Sequence, residues 1–261
     1  MMRSLYSGVS GLRTHQLRMD VIGDNIANVN TVGFKRSTVT FKDVFYQTMR
    51  GGAGGATGGP GGTNPQQIGL GVTLNSIDVI HTQGAAASTG NGTDLMIQGD
   101  GFFQVKDTKG TIYFTRAGNF HFDSIGNLVT PDGLIVQGTK GNINIGTNVT
   151  SYSIDKYGNV YVNGSQVDQI QLARFPNPSG LEKIGSNLYA LAAAAGTKTT
   201  GVAGDTNFPN TTIIPSALEM SNVDLAQEFT DMIITERGFQ ANARTITTSD
   251  QMLQELVNLK R

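Results

Sequence analysis

The chain of 261 residues is only 15% charged and carries a net charge of −1. Disordered chains are normally rich in charge and poor in apolar residues, so 38% hydrophobic residues predict a folded protein. The near-neutral charge predicts no nucleic-acid partner, and the absence of cysteine excludes disulfides, thiolate metal sites and cysteine nucleophiles. We also expect no cleaved signal peptide and no transmembrane helix, because no apolar segment has the required length and position.

A long helix is predicted over residues 3–30, within an N-terminal assembly segment, residues 1–34. Its apolar side chains recur at intervals of four and three residues, which places them along one helical face. The sequence NVNTVG at 28–33 then ends the helix, since Asn and Gly tolerate left-handed backbone. The residues that we expect to serve assembly on or beside this stripe are Leu5, Val9, Leu12, Met19, Ile22, Ile26 and Val29.

Residues 35–70 are predicted to form an extended linker that contains a glycine-rich segment. Positions 51–62 (GGAGGATGGPGG) have almost no side chains to bury and a high backbone entropy, so we expect a flexible or extended surface segment. A phosphate-binding loop is excluded because the Gly-Lys-Ser/Thr ending is missing.

Residues 71–215 are predicted to form a β-rich core domain. Short runs rich in Val, Ile, Thr, Tyr and Phe alternate with turn pairs such as Asp132-Gly133 and Asn163-Gly164. The expected strands lie at 97–105, 112–116, 119–123, 127–130, 134–137, 151–155, 159–162 and 169–175. Because long crossover helices are absent between them, an antiparallel sandwich or irregular barrel is favoured. With the terminal helices, the predicted fold class is α+β.

A second long amphipathic helix is predicted over residues 221–260, within a C-terminal assembly segment, residues 216–261. Ser221 and Asp224 resemble a capping box at its start. The expected assembly residues of this helix are Leu225, Phe229, Met232, Phe239, Ile246, Leu253 and Val257.

The two terminal helices are predicted to pair through their apolar stripes, antiparallel or parallel, because an isolated helix of this kind is unstable in water. Additional apolar residues, among them Ile233, Ile234 and Leu256, widen the C-terminal face beyond what one partner covers. Two interpretations remain open: an ordinary helical subdomain packed on the β-core, or an assembly module that completes its burial against other copies.

The residues that could carry chemistry do not form a recognisable active site. His15, His81 and His121 are scattered and have no triad or HExxH pattern around them. Asp94 and Asp100 lack the spacing of a calcium-binding EF-hand. We therefore predict that the protein is not an enzyme and uses no metal, no cofactor and no small-molecule substrate.

Several long motifs, in order along the chain, resemble those of bacterial flagellar rod and hook proteins. They are SLYSGVSGL at 4–12, DVIGDNIANVNTVGFK at 20–35, DLMIQGDGFF at 94–103, TRAGNF at 115–120, SNVDL at 221–225 and RGFQANA at 237–243. The third is similar to the internal core motif of the family, with Asp94, Leu95, Ile97, Gly99, Gly101, Phe102 and Phe103.

This resemblance implies a subunit that polymerises with its own copies into a hollow helical tube. The terminal helices would form an inner coiled-coil layer and the β-rich middle an outer layer. The implied partners are adjacent flagellar axial proteins (rod, hook cap and hook–filament junction) and the flagellar type III export apparatus. The implied location is the hook or basal body of the flagellum, reached by export without a cleaved signal.

Within the family, the glycine-rich segment and its flanks resemble short hook proteins of Gram-positive bacteria. We therefore predict the hook subunit, a flexible universal joint, whose compliance the glycine-rich segment would supply. The alternative is the distal rod subunit, a stiff drive shaft, which has about the length of this chain. A secreted β-rich binding protein is the distant alternative.

Overall fold

A computed structural model describes residues 2–55, 61–147 and 149–259 of the chain. It has a long helix near each end and a β-rich middle, so the α+β class is confirmed. The described residues form two compact units. The first contains residues up to 26, residues 37–78 and those from 225 onward, and the second contains residues 27–36 and 79–224.

The first unit contains both long helices and four strands. Helix α1 spans Met2–Ala27 and helix α2 spans Leu225–Asn258, close to the predicted ranges. The strands are β1 (Ser37–Asp43), β2 (Tyr46–Arg50), β3 (Gln66–Gly69) and β4 (Val72–Val79). Strand β1 pairs with β4, and β2 pairs with β3 in an antiparallel hairpin.

The predicted linker at 35–70 therefore contains three strands that the sequence analysis did not include. A bridge between Ala53 and Thr63 continues the β2–β3 hairpin into the glycine-rich segment. Those glycines let the two backbones approach, since a Cβ at Gly62 would lie 3.0 Å from the Ala53 carbonyl oxygen. The central part of the predicted flexible segment, 56–60, lies outside the described residues.

Helix α2 begins four residues later than predicted because residues 221–224 are held outside the helix. The Asn222 side chain accepts a hydrogen bond from the Arg36 amide at 2.8 Å and donates to the Ile80 carbonyl at 2.8 Å. These bonds lie within the second unit. The Ser221 hydroxyl accepts a bond from the Val223 amide at 3.3 Å, which forms a local turn before the helix. The capping box stays a prediction.

The second unit is built from short strands. They are β5 (Ala86–Ser88), β6 (Leu95–Gln98), β7 (Phe102–Lys106), β8 (Ile112–Thr115), β9 (His121–Phe122), β10 (Leu128–Val129), β11 (Ile135–Gly138), β12 (Gly141–Asn142), β13 (Tyr152–Ile154), β14 (Asn159–Val162), β15 (Ser165–Gln169), β16 (Leu172–Arg174), β17 (Glu182–Gly185), β18 (Leu188–Ala190), β19 (Thr199–Gly201), β20 (Thr212–Pro215) and β21 (Ala217–Glu219).

The strands of the second unit pair in an antiparallel manner, as predicted. The largest sheet has the path β17-β18-β8-β7-β11-β10-β9, with β12, β16 and β19 attached. Strands β13, β14 and β15 form a separate sheet, while β6 pairs with β20 and β5 with β21. The more specific choice of a sandwich or barrel stays a prediction.

The turn chemistry predicted for this unit agrees with the backbone. Gly126, Gly133 and Gly158 have φ values of 86°, 81° and 78°, the left-handed region that Gly enters at little steric cost. The run predicted as one strand over 97–105 is split in two, because Gly99 and Gly101 turn the chain between β6 and β7. A core that includes Phe103, Leu128 and Ile170 fills the interior.

Candidate assembly surfaces

Helices α1 and α2 contact each other through a row of mostly small and polar side chains, which we call the polar seam. Its members recur three and four residues apart on each helix. On α1 they are Ser4, Gly8, Gly11, His15, Arg18, Ile22 and Asn25, and on α2 they are Glu228, Asp231, Thr235, Gly238, Asn242, Thr245 and Ser249. The α2 numbers fall as the α1 numbers rise, so the helices are antiparallel.

Glycines bring the two helix backbones close together at the polar seam. A Cβ at Gly11 would lie 2.7 Å from Asn242 Nδ2, and one at Gly8 would lie 2.9 Å from Thr245 Oγ1. On α2, a Cβ at Gly238 would lie 2.7 Å from His15 Cε1. The seam therefore has no room for larger side chains at these positions.

The helices pair as predicted, but mostly through the polar seam and not through the predicted apolar stripes. Of the predicted stripe residues, Ile22 belongs to the polar seam, where it is 5% exposed, and Ile246 borders it, with its Cγ1 3.1 Å from a Cβ added at Gly8. Small residues allow the close approach, and hydroxyl and amide groups satisfy one another across it, as in the 3.3 Å contact between Ser4 Oγ and Ser249 Oγ. The periodicity of the apolar residues identified the helices but not the contacting face.

Charged and amide groups fix the register at the far end of the seam. Arg18 Nη2 lies 3.0 Å from Asp231 Oδ1. Asn25 Nδ2 donates to Glu228 Oε2 at 3.2 Å and to the Ser37 carbonyl at 2.8 Å, while its Oδ1 accepts from the Ser37 amide. Asn25 and Glu228 are almost fully buried, so this contact is specific as well as polar.

Much of the predicted assembly stripe remains accessible to solvent after the helices have paired. Val9, Leu225, Phe229 and Val257 are exposed. Intermediate exposure is found for Leu5, Leu12, Met19, Ile26, Val29, Met232, Phe239, Ile246 and Leu253. Off the stripe, Ile233 and Ile234 are more than half exposed. Apolar faces of this extent on a helix pair are typical of an interaction surface.

The β2–β3 hairpin carries a second exposed apolar surface, which the sequence analysis missed. Phe45 is 84% exposed, and Tyr46, Met49, Ile68 and Leu70 are exposed as well. The residues of high β-propensity at 45–48, Phe45, Tyr46 and Thr48, are the sequence signal for this strand. The adjacent glycine-rich segment favoured a linker instead.

The predicted core motif lies inside the second unit and serves its fold. Leu95, Ile97 and Phe103 are fully buried, and Phe102 is 3% exposed. Asp94 accepts a hydrogen bond from Thr89 Oγ1 at 2.6 Å. The two glycines of the motif, Gly99 and Gly101, have φ values of 102° and 143° and form the β6–β7 turn. Most of the motif is therefore buried in the core of the unit.

A buried cluster of three charges, which we call the charge triad, also belongs to the second unit. Lys35 Nζ lies 2.6 Å from Glu219 Oε1, and Arg116 Nη1 lies 3.4 Å from Glu219 Oε2. Lys35 also donates to the Thr82 carbonyl at 2.7 Å, and the Gly84 amide donates to Glu219. Burial lowers the pKa of Lys35, while its attraction to Glu219 acts in the opposite direction.

The three histidines occupy separate environments. The His81 ring lies 5.6 Å from the rings of Phe102 and Tyr189, and burial, followed by repulsion from nearby cations, lowers its pKa to about 4. His15 packs edge-on against Phe41, and burial lowers its pKa. His121 is exposed. In the described part of the chain, no group of three His, Asp or Glu side chains is arranged to hold a metal ion.

Neither described helix is long and apolar enough to cross a membrane. The largest exposed apolar surfaces described above are those of the helix pair and of the hairpin.

Three family descriptions match successive parts of the chain. "Flagella basal body rod protein" matches residues 5–35, which include most of α1. "Flagellar hook protein FlgE/F/G D1 domain" matches residues 96–162 in the second unit, and "Flagellar basal body rod FlgEFG protein C-terminal" matches residues 214–259, which include α2.

Similar proteins extend this result to the whole chain. The flagellar basal-body rod protein FlgG of Bacillus subtilis is 52% identical over 269 aligned residues, and all of both chains is covered. FlgG of Caulobacter vibrioides is 39% identical, with 99% of this chain and all of the relative covered. The flagellar hook protein FlgE of Borreliella burgdorferi is 32% identical over 445 aligned residues, again with both chains covered in full.

Fold, exposed helical faces and relatives together define a structural subunit of the bacterial flagellar axis. The chain belongs to the FlgE/F/G family, whose members are rod and hook proteins of the flagellum and take part in motility. This is a family of structural proteins and not of enzymes.

Proposed function

We propose that the chain is the distal rod subunit of the flagellar basal body and polymerises with its own copies into a hollow tube. The observation that carries the proposal is that the helix pair leaves apolar side chains exposed on both helices, including Val9, Phe229 and Ile233. An exposed apolar surface of this extent is stabilised when another protein surface buries it. Further copies of the same chain are the simplest partners for this burial.

The sequence identities to relatives favour the rod subunit, although the motifs of the chain had favoured the hook subunit. The rod protein of Bacillus subtilis is 52% identical and aligns over 269 residues, close to the 261 residues of this chain. The hook proteins of Borreliella burgdorferi and Treponema pallidum need alignments of 445 and 470 residues, so they carry long segments without a counterpart here. The hook subunit remains the second candidate, because its relatives match along the whole chain.

In the proposed tube, the terminal helices form the inner layer and the second unit lies outside it. The predicted assembly residues, such as Leu12 and Phe239, contact neighbouring copies there. The proposed partners are the same chain, the adjacent rod and hook proteins, including the hook cap and hook–filament junction proteins, and the flagellar type III export apparatus. Export through the flagellar channel, without a cleaved signal, would bring the subunit to its position in the basal body.

Deletion of the gene tests the assignment. Basal bodies purified from the deletion strain and imaged by electron microscopy should have rods that stop short, and the full-length gene should restore them. Complete rods that lack only a hook would instead transfer the chain to the hook. Flagella of normal structure in the deletion strain would contradict both candidates.

A further inference from the structure

The polar seam continues along α2 beyond the residues that contact α1, and its chemistry changes there. Its members on α2 end with Asn242, Thr245 and Ser249. The same spacing of three and four residues continues to Met252, Leu256 and Leu259. The face that is small and polar beside α1 is therefore large and apolar over the last turns of α2.

These three side chains lie open to solvent. Met252 is 47% exposed, Leu256 is 51% exposed and Leu259 is 81% exposed. They line a groove of about 680 Å³. The remaining lining residues are Thr248, Gln251, Gln254 and Glu255. An apolar floor with polar edges on one side of a helix is the form that a second helix fits, by placing large side chains between its rows.

Helix α1 carries a row of the matching kind on a face that the polar seam does not use. Met2 is 61% exposed, Tyr6 is 66% exposed and Val9 is 38% exposed, and their spacing places them side by side. Within one chain, α1 already turns its seam residues, such as Gly8, toward α2. The row of Met2, Tyr6 and Val9 is thus available to a different α2.

Among the described residues, the charged side chains beside the two surfaces have opposite signs. Glu255 lines the groove on α2. On α1, Arg3 and Arg13 lie next to the row and are exposed. Opposite charges at the edge of an apolar contact favour one arrangement of two copies over others.

We propose that the groove of Met252, Leu256 and Leu259 binds the row of Met2, Tyr6 and Val9 on α1 of a second copy of this chain. Tyr6 is the anchor, because a large aromatic side chain with a polar tip fits an apolar groove that has polar edges. The polar seam holds the two helices of one subunit together, and the groove joins that subunit to the next. This inference rests on the proposed function and specifies one contact between copies.

The absence of cysteine from the chain makes the contact directly testable. Two single variants, Tyr6→Cys and Met252→Cys, are produced together in a bacterium that lacks its own copy of the gene, one of them with a peptide tag. Their basal bodies are purified, oxidised and separated under non-reducing conditions. Because each chain has one cysteine, a species that contains both the tagged and the untagged chain reports a contact between copies.

We expect a disulfide-linked species of twice the monomer mass that contains both variants and disappears on reduction. The control combines Tyr6→Cys with Thr247→Cys, a position that is also exposed on α2 but lies away from the polar seam. It should give no mixed dimer. A second pair, Met2→Cys with Leu256→Cys, tests the same contact one position along in the antiparallel direction and serves if the first pair does not assemble.

Complete rods without a mixed dimer from either pair would overturn the inference and leave the proposed function standing. A control dimer as abundant as the Tyr6–Met252 dimer would also overturn it. The deletion strain is characterised before the cysteine variants. Unaltered rods in that strain would reject the proposed function and the inference together.

Discussion

At the scale of single residues, the charge triad is the most unusual feature of the second unit. The Lys35 and Glu219 side chains are fully buried, and Arg116 is 5% exposed. Two cations thus share one carboxylate away from water. A buried pair of this kind adds little net stability, but removal of one partner leaves a charge that has lost both water and its counter-ion. Glu219 is the residue on which the balance depends.

Glu219→Gln should therefore lower the free energy of unfolding by about 3–5 kcal/mol, because it leaves Lys35 and Arg116 buried together. Urea unfolding of the full chain, followed by tyrosine fluorescence, measures this effect. Arg174→Gln is the control, since Arg174 pairs with Asp100 at 3.5 Å on the surface. An exposed pair contributes at most about 1 kcal/mol. Equal losses in the two variants would show that Glu219 does not balance a buried charge.

The sequence could not identify this triad. Lys35 and Arg116 both occur in motifs of the family, but Glu219 lies 184 residues after Lys35 and 103 after Arg116. Neither residue type nor local spacing indicates that the three meet. The same limit applies to His81, whose low pKa arises from burial and from cations distant in sequence.

At the scale of elements, the helices could be predicted and their contact could not. Apolar periodicity located α1 and α2 to within a few residues. A long helix needs an apolar stripe that is buried, either in the single chain or in the assembly. The contacting face contains Gly8, Gly11 and Asn242 instead. Residues of this kind have little hydrophobicity, so a search for apolar stripes passes over them. The stripe shows that the helices need partners, and the glycines show where they meet.

Gly11→Leu should separate the helix pair, because a Cβ at this position would already lie 2.7 Å from the Asn242 side chain. Overpacking of this kind lowers stability by about 1–3 kcal/mol. The matched control is Gly23→Leu on the same helix, where nothing lies within 4 Å of the added Cβ. There, loss of a helical glycine should stabilise α1 by up to about 1 kcal/mol.

Thermal melts followed by circular dichroism at the helical band measure both variants. We expect opposite shifts, with an earlier loss of helix for Gly11→Leu and a later one for Gly23→Leu. A Gly11→Leu melt that coincides with that of Gly23→Leu would mean that the seam tolerates a large side chain, against the close approach described above.

At the scale of the whole molecule, the order of the motifs was enough to predict the family. The choice between rod and hook depended on the comparison with relatives whose place in the flagellum is named. The glycine-rich segment favoured the hook in the sequence analysis, because glycine implies compliance. The structure places its flanks in the β2–β3 hairpin, in which Phe45 and Met49 are 84% and 60% exposed. Large exposed apolar side chains along one strand of a hairpin suit a segment that packs between neighbours, which a stiff shaft requires.

Substitution of Phe45 and Met49 by Ser should therefore weaken the assembled rod and leave the isolated subunit unchanged. Both side chains are largely exposed in one chain, so their removal should change the free energy of unfolding by less than about 0.5 kcal/mol. In the rod they are expected to be buried against neighbouring copies, and each large apolar side chain then contributes about 1.5–3 kcal/mol. Basal bodies from the double variant should lose their distal rods at lower urea concentrations than the wild type.

Gln47→Ser, in the same strand and also exposed, provides the control and should behave as the wild type. Rods of wild-type resistance in the Phe45 and Met49 variant would mean that these side chains face solvent in the assembly. The stiffness of the shaft would then have to come from the helix layer alone.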